Sequence, residues 1–169
     1  DTLSDDHPFL ELVKDISTSY ADLVPGMRNS NEFPGGIVNG YDWYEVNGGM
    51  QDWSYYWHND LQLTVELSNS KWPDYSRVFT YYDDNKQSLI NFLEDVHQGA
   101  GFVITGESGG EVQITDLDNE RNLGSFSYLK NEFYKVLPEG NYQFNITTTE
   151  NKKYSKPLRV NAENSKENG

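Results

Sequence analysis

The spacing of apolar residues changes period near Gly99, and that change limits the possible folds more than any other feature. Upstream, Phe9, Leu12, Val13, Ile16, Tyr20 and Leu23 recur at the spacing of one helix face, which predicts an amphipathic helix over residues 8–23. Asp5 or Asp6 can cap it, Pro8 suits its first turn, and Pro25-Gly26 ends it. A second helix is predicted over residues 76–97, strongest from Asp84 to His97, with Leu89, Ile90, Leu93 and Val96 as its apolar stripe. Downstream the period falls to that of strands. Short strands are predicted at Phe102–Thr105, Glu111–Asp116, Gly124–Tyr128, Phe133–Val136, Tyr142–Thr148 and Leu158–Val160. Gly109-Gly110, Asp118-Asn119 and Pro138-Glu139-Gly140-Asn141 supply the turns between them. Such a series predicts a small β-sandwich.

The stretch between the two helices is loop-rich. Pro34-Gly35-Gly36, Asn39-Gly40 and Gly48-Gly49 break it repeatedly over residues 24–59. Leu61, Leu63, Val65 and Leu67 then alternate with Gln62, Thr64 and Glu66, which predicts a strand over Leu61–Leu67 closed by Ser68-Asn69-Ser70. The expected organisation is a first domain over residues 1–99, a β-sandwich over 100–162 and a polar tail over 163–169.

The formal net charge of −14 argues against a nucleic-acid binder, because no basic patch exists to displace counterions from phosphates. It equally disfavours an anionic membrane surface, and no apolar run approaches the ~20 residues of a membrane span. Without cysteine there are no disulfides and no thiolate metal ligands. The chain opens on Asp1 with no signal peptide, so a processed or cut polypeptide is expected.

The residues from Gly40 to Glu66 carry the chemistry. They comprise Trp43-Tyr44, the run Gly48-Gly49-Met50-Gln51-Asp52-Trp53, and the strand ending on Glu66. A phenol on a glycine-hinged loop and a carboxylate at a strand end can together bind a peptide terminus and activate a water. At these residues the chain resembles the second half of a zinc metallocarboxypeptidase of the regulatory N/E/D branch. Gly36-Ile37-Val38-Asn39-Gly40, Asn85-Lys86-Gln87-Ser88-Leu89-Ile90 and Val96-His97-Gln98-Gly99 are similar to that branch as well. Val136-Leu137-Pro138-Glu139-Gly140-Asn141-Tyr142 is similar to its appended transthyretin-like domain. The resemblance spans roughly residues 5–160.

That resemblance implies an α/β fold, namely the carboxyl-terminal part of an αβα carboxypeptidase domain followed by a small all-β transthyretin-like sandwich. It implies hydrolysis of the carboxyl-terminal residue of peptides or proteins, outside the cytoplasm, in a secreted or periplasmic enzyme. Glu66 takes the place of the catalytic carboxylate, and Tyr44 that of the tyrosine that folds over the substrate. Gln51 falls at the base of the specificity pocket, and Thr64 is expected to line it. The cofactor implied is zinc, yet no ligand set is present. His7, His58 and His97 stand in no His-x-x-Glu or His-Glu-x-x-His pattern. The metal site, the arginines that clamp the substrate carboxylate and several sheet strands are therefore expected in an upstream half. The alternative is a non-catalytic peptide-binding or adhesion module that keeps the scaffold. Asp116, Asp118 and Glu120 form a D-x-D-x-E run lacking the glycine and terminal glutamate of a calcium loop, and Asn145-Ile146-Thr147 is a glycosylation sequon.

Overall fold

The computed structural model describes residues 9–51, 53–54, 60, 62–106 and 108–161. The expected Asp5 or Asp6 cap, Asp52, His58, Leu61 and the polar tail lie outside the described residues. The chain divides into two compact units, Asp1–Glu94 and Asp95–Gly169.

In the first unit helix α1 runs over Leu10–Asp22 and buries Leu12, Ile16, Tyr20 and Ala21, the face that the sequence pattern marks. Two short helices follow, α2 over Pro25–Arg28 and α3 over Gly40–Trp43. Helix α4 covers Val78–Glu94. A 3-10 turn at Tyr75–Arg77 leads into it, with the Asp74 carboxylate accepting from the Ser76 amide at 2.8 Å. The second unit opens on another 3-10 turn, Asp95–His97.

The packing of α4 reverses the expected one. Its buried residues are Asn85 and Ser88, whereas Leu89, Ile90 and Leu93 are 45 %, 41 % and 68 % exposed. Hydrogen bonds explain the choice. The Tyr20 hydroxyl donates to Asn85 Oδ1 at 3.1 Å, Ser88 Oγ donates to the Tyr20 carbonyl at 2.8 Å, and Asn85 Nδ2 donates to the Tyr81 carbonyl at 2.9 Å. A buried polar group without a partner is costly, so these groups go inside together. The apolar stripe is left largely in solvent.

Of the strand predicted over Leu61–Leu67, the described residues 62–67 form none. Residues 62–68 join no ladder, although the alternation survives, with Leu63 and Val65 half-buried between exposed Gln62, Thr64 and Glu66. A strand takes its hydrogen bonds from a neighbour, and the described residues offer this segment none.

The second unit is all-β. Six antiparallel strands, β1 (Gly99–Val103), β2 (Gly109–Asp116), β3 (Arg121–Leu129), β4 (Glu132–Val136), β5 (Gly140–Thr148) and β6 (Lys153–Val160), join in the order β1-β4-β3-β2-β5-β6. Strands β3 and β4 pair only at Leu129 and Glu132, beside a turn in which Lys130 and Asn131 both have φ 59°. Two successive left-handed residues make a type I′ turn, whose twist suits a tight hairpin. Beyond that corner the β1–β4 arm crosses the face of the sheet. Phe102 of β1 packs against Phe133 of β4 at 6.3 Å and edge-on against Phe144 of β5 at 4.8 Å, although β5 is not a sheet neighbour of either strand. The predicted sandwich is thus one sheet folded over in a barrel-like manner, not two separate sheets.

Val112, Ile114, Phe126, Tyr142, Phe144 and Ile146 fill this core. The register of β2 on β3 slips between Ile114 and Thr115, with Gly124 at φ 110°. This bulge shifts the buried face of β3 from Leu123 to Phe126 and Tyr128. Gly99 sits at φ 139°, and a side chain there would strike the Lys135 carbonyl, so only glycine lets β1 start against β4. The D-x-D-x-E run serves the turns. Asp116 Oδ1 accepts from the Asp118 and Asn119 amides, and Asp118 accepts from the Asn141 amide and side chain, each at 2.8 Å. The Asn141 side chain, and then its amide, hold the Asp118 carboxyl below its ordinary range.

The Tyr142 hydroxyl donates to the Pro138 carbonyl at 3.0 Å. Burial, with the Asp116 and Asp118 charges adding to it, pushes this phenol well above its ordinary range. An unfolded tyrosine ionises near pH ~10. Above that the folded form keeps a proton that the unfolded form releases, so stability falls as pH rises further. Tyr142→Phe is therefore expected to cost about 1 kcal/mol at neutral pH. It is also expected to flatten the loss of stability above pH ~10, checked by urea unfolding of the β unit across pH. In the helical unit, Asn85→Ala strands the buried Tyr20 hydroxyl and is expected to cost about 1–3 kcal/mol, read by the same method.

Candidate functional site

Tyr44 owes its position to a short capped helix. The Asn39 side chain accepts from the Tyr41 amide at 3.1 Å, and the Tyr44 amide closes the turn on the Gly40 carbonyl at 3.0 Å. Tyr44 itself leaves the helix at φ −163°, ψ 150°. Its ring lies edge-on to Trp43 with centroids 4.8 Å apart, and Trp43 lies edge-on to Phe33 at 5.3 Å. Phe33 in turn is fixed by its amide, which donates to Ser30 Oγ at 3.1 Å. Just beyond it Gly36 has φ 75°, and an added Cβ would stand 2.6 Å from the Met27 carbonyl carbon. Glycine is required there for both reasons. The phenol of Tyr44 remains 55 % exposed.

Gln51 follows Met50 in a second short helical stretch. The Trp53 amide donates to the Gly49 carbonyl at 3.2 Å, Ser54 is buried, and Gln51 faces solvent. Thr64 and Glu66 share the exposed side of residues 62–66, opposite half-buried Leu63 and Val65. The end of that segment is tethered to α4, because Ser68 Oγ and the Tyr81 hydroxyl lie 3.2 Å apart. This bond is the main influence that lowers Tyr81 below its ordinary range. Glu66 thus stands at the surface two residues before a point anchored to a helix.

No hydrogen bond or ring contact among the described residues joins Tyr44, Gln51, Thr64 and Glu66 to one another. The alternation brings Thr64 and Glu66 to one side, while Tyr44 directly follows α3 and Gln51 stands in the next short helical stretch. Nor does any group of three or more His, Cys, Asp or Glu among the described residues come close enough to hold a metal ion. No described helix is long and apolar enough to cross a membrane. The sequence pattern did not mark Phe33 as part of the site. Its signal was only its place before Pro34-Gly35-Gly36, and its role follows from ring contacts.

The sequence profile described as zinc carboxypeptidase matches residues 1–88. The chain belongs to the zinc carboxypeptidase family. Mouse carboxypeptidase M is 31 % identical over 159 residues, covering 89 % of this chain and 36 % of that relative. Human carboxypeptidase D is 33 % identical over 157 residues, covering 86 % of this chain and 11 % of the relative. Human carboxypeptidase Z is 37 % identical over 142 residues, covering 79 % and 22 %. The chain therefore spans little more than a third of the length of carboxypeptidase M and about a tenth of carboxypeptidase D. These names agree with the N/E/D branch that the motifs resemble.

Local order around Tyr44 rests on the α3 cap. Asn39→Ala is expected to speed amide exchange at Tyr41 by about twofold or more, since such caps contribute about 0.5–2 kcal/mol. Amide hydrogen exchange followed by mass spectrometry checks this. Unchanged exchange would mean that the helix stands without its cap.

Proposed function

We propose that this chain is the carboxyl-terminal part of a zinc-dependent carboxypeptidase that removes single residues from the carboxyl termini of peptides or proteins. The observation that carries the proposal is the family match over residues 1–88, which contains Tyr44, Gln51, Thr64 and Glu66 together. In this scheme Glu66 takes a proton from the attacking water and passes it to the leaving amine. Its exposure on an anchored segment supports that role, because a general base must be reachable by water and substrate. Tyr44 donates its hydroxyl to the terminal carboxylate and helps exclude water, while Gln51 and Thr64 line the side-chain pocket. The zinc for which the family is named polarises the scissile carbonyl when bound.

The upstream half of the same enzyme would supply the zinc ligands and the clamp for the substrate carboxylate. The outward-facing stripe of Leu89, Ile90 and Leu93 on α4 supports this. So does the unladdered segment 62–68, since each lacks the kind of neighbour that a completed αβα domain provides. The β unit is proposed to be the transthyretin-like domain appended to such enzymes, and the site of action to be secreted or periplasmic. The net charge of −14 suits cationic peptides ending in lysine or arginine.

Glu66→Gln in the full-length enzyme is expected to lower kcat by more than ~10³-fold while bound zinc, measured by elemental analysis, stays unchanged. Turnover near wild type would remove Glu66 from the mechanism.

A further inference from the structure

Neighbouring residues of a helix do not face each other, yet the Trp43 and Tyr44 rings touch. They meet because the backbone changes from helical at Trp43 to extended at Tyr44, turning the second ring back onto the first. Three aromatic rings therefore follow one another, Phe33 to Trp43 to Tyr44, at 5.3 Å and 4.8 Å and with interplanar angles of 76° and 69°. Edge-to-face geometry of this kind is attractive as well as space-filling. The ladder is secured at its inner end and open at its outer end. Ser30 Oγ holds the Phe33 amide, Gly36 fits closely over Met27, and Asn39 caps α3. The outer ring, Tyr44, keeps more than half its surface in solvent, and among the described residues its hydroxyl has no hydrogen-bond partner.

A free phenol on a loop would sample many orientations, and binding would have to select one of them. A phenol resting against one fixed ring samples few, and its hydroxyl stays available. We infer that Trp43, backed by Phe33, is a positioning residue that pre-orients Tyr44 for the substrate's terminal carboxylate. The inference rests on the proposed substrate role of Tyr44. Trp43 acts through Tyr44 and not through contact with the reacting atoms, so its loss weakens substrate binding more than it slows the chemical step.

The test is a double-mutant cycle in the full-length enzyme that carries this chain. It is assayed on hippuryl-arginine or hippuryl-phenylalanine, whichever is turned over, with zinc content and circular dichroism as controls. Trp43→Leu is expected to raise KM about three- to tenfold with kcat within about twofold. Trp43→Phe, which keeps an aromatic ring, is expected to return KM to within about twofold of wild type. On a Tyr44→Phe background, which lacks the hydroxyl, Trp43→Leu is expected to change KM by less than about 1.5-fold. Equal increases on both backgrounds would overturn the inference and leave Trp43 a packing residue. No increase from Trp43→Leu on the wild-type background would overturn it too. Should Trp43→Leu lose its fold, Phe33→Leu carries the same cycle, with an expected rise of about twofold on the wild-type background only. If Tyr44→Phe alone leaves both KM and kcat unchanged, Tyr44 has no substrate role, and the inference falls with it.

Discussion

The buried hydrogen bond from the Tyr20 hydroxyl to Asn85 sets the arrangement of the helical unit. Together with the Ser88 bond to the Tyr20 carbonyl, it turns the polar edge of α4 toward α1. With Asn85 and Ser88 inside, Ile90 falls on the far side of the helix and Leu89 and Leu93 flank the buried edge, and all three stay partly in solvent. A stripe of three large apolar residues on water is unfavourable by area alone. The directional bonds nevertheless win, because each buried donor or acceptor left unpaired would cost more than one partly exposed methyl group gains. The unit is therefore built around a polar seam, and its apolar capacity points outward. That capacity is what an adjoining part of a larger domain would use.

The β unit follows the opposite logic. Its core is closed by its own strands, since the β1–β4 arm folds back and places Phe102 against Phe144. Closure needs a corner, and the corner comes from two left-handed residues, Lys130 and Asn131, with a single pair of ladder partners beside them. It also needs a place where β1 can approach β4 closely, which Gly99 provides. A sheet closed in this way exposes few free edges. The strand order ends on β1 and β6, and β6 carries Lys153, Lys156 and Pro157, residues that discourage pairing with another chain.

How much could be read in advance depended on whether a signal was local. Alternation and turn residues are local, so the strands from β2 to β5 were legible, as was the buried face of α1. Strand β6 was legible only at Leu158–Val160, because residues 153–157 are exposed and polar and carry no alternation, although they pair fully with β5. The I′ turn was missed because Lys130-Asn131 lacks the glycine that usually marks one. The inward choice of Asn85 over Leu89 was hidden as well, since it depends on Tyr20, far away in sequence. The site divides along the same line. Glu66, Tyr44, Gln51 and Thr64 stand out by motif resemblance, which is local, while the contact of Phe33 with Trp43 became visible only through ring geometry. Nothing local announces that Leu61–Leu67 will lack a ladder, because its pattern is that of a strand and only its neighbour is wanting.

The roles proposed for Glu66 and Tyr44 would ask for different kinds of support. A proton-transferring carboxylate needs a fixed distance to water and substrate, and alternation on a half-buried segment tethered at Ser68 offers a fixed direction. A residue that closes over a substrate must move, yet cannot wander at large without weakening binding. A one-turn helix ended by an extended residue supplies that compromise. Its cap at Asn39 and its inner ring at Phe33 are fixed, while the last ring remains free on its solvent side. The glycines on either side, Gly36 at φ 75° and Gly48 at φ 77°, mark where the backbone takes turns that other residues resist. The ring series thus runs from Phe33, held at its amide, through Trp43 to a Tyr44 that is 55 % exposed.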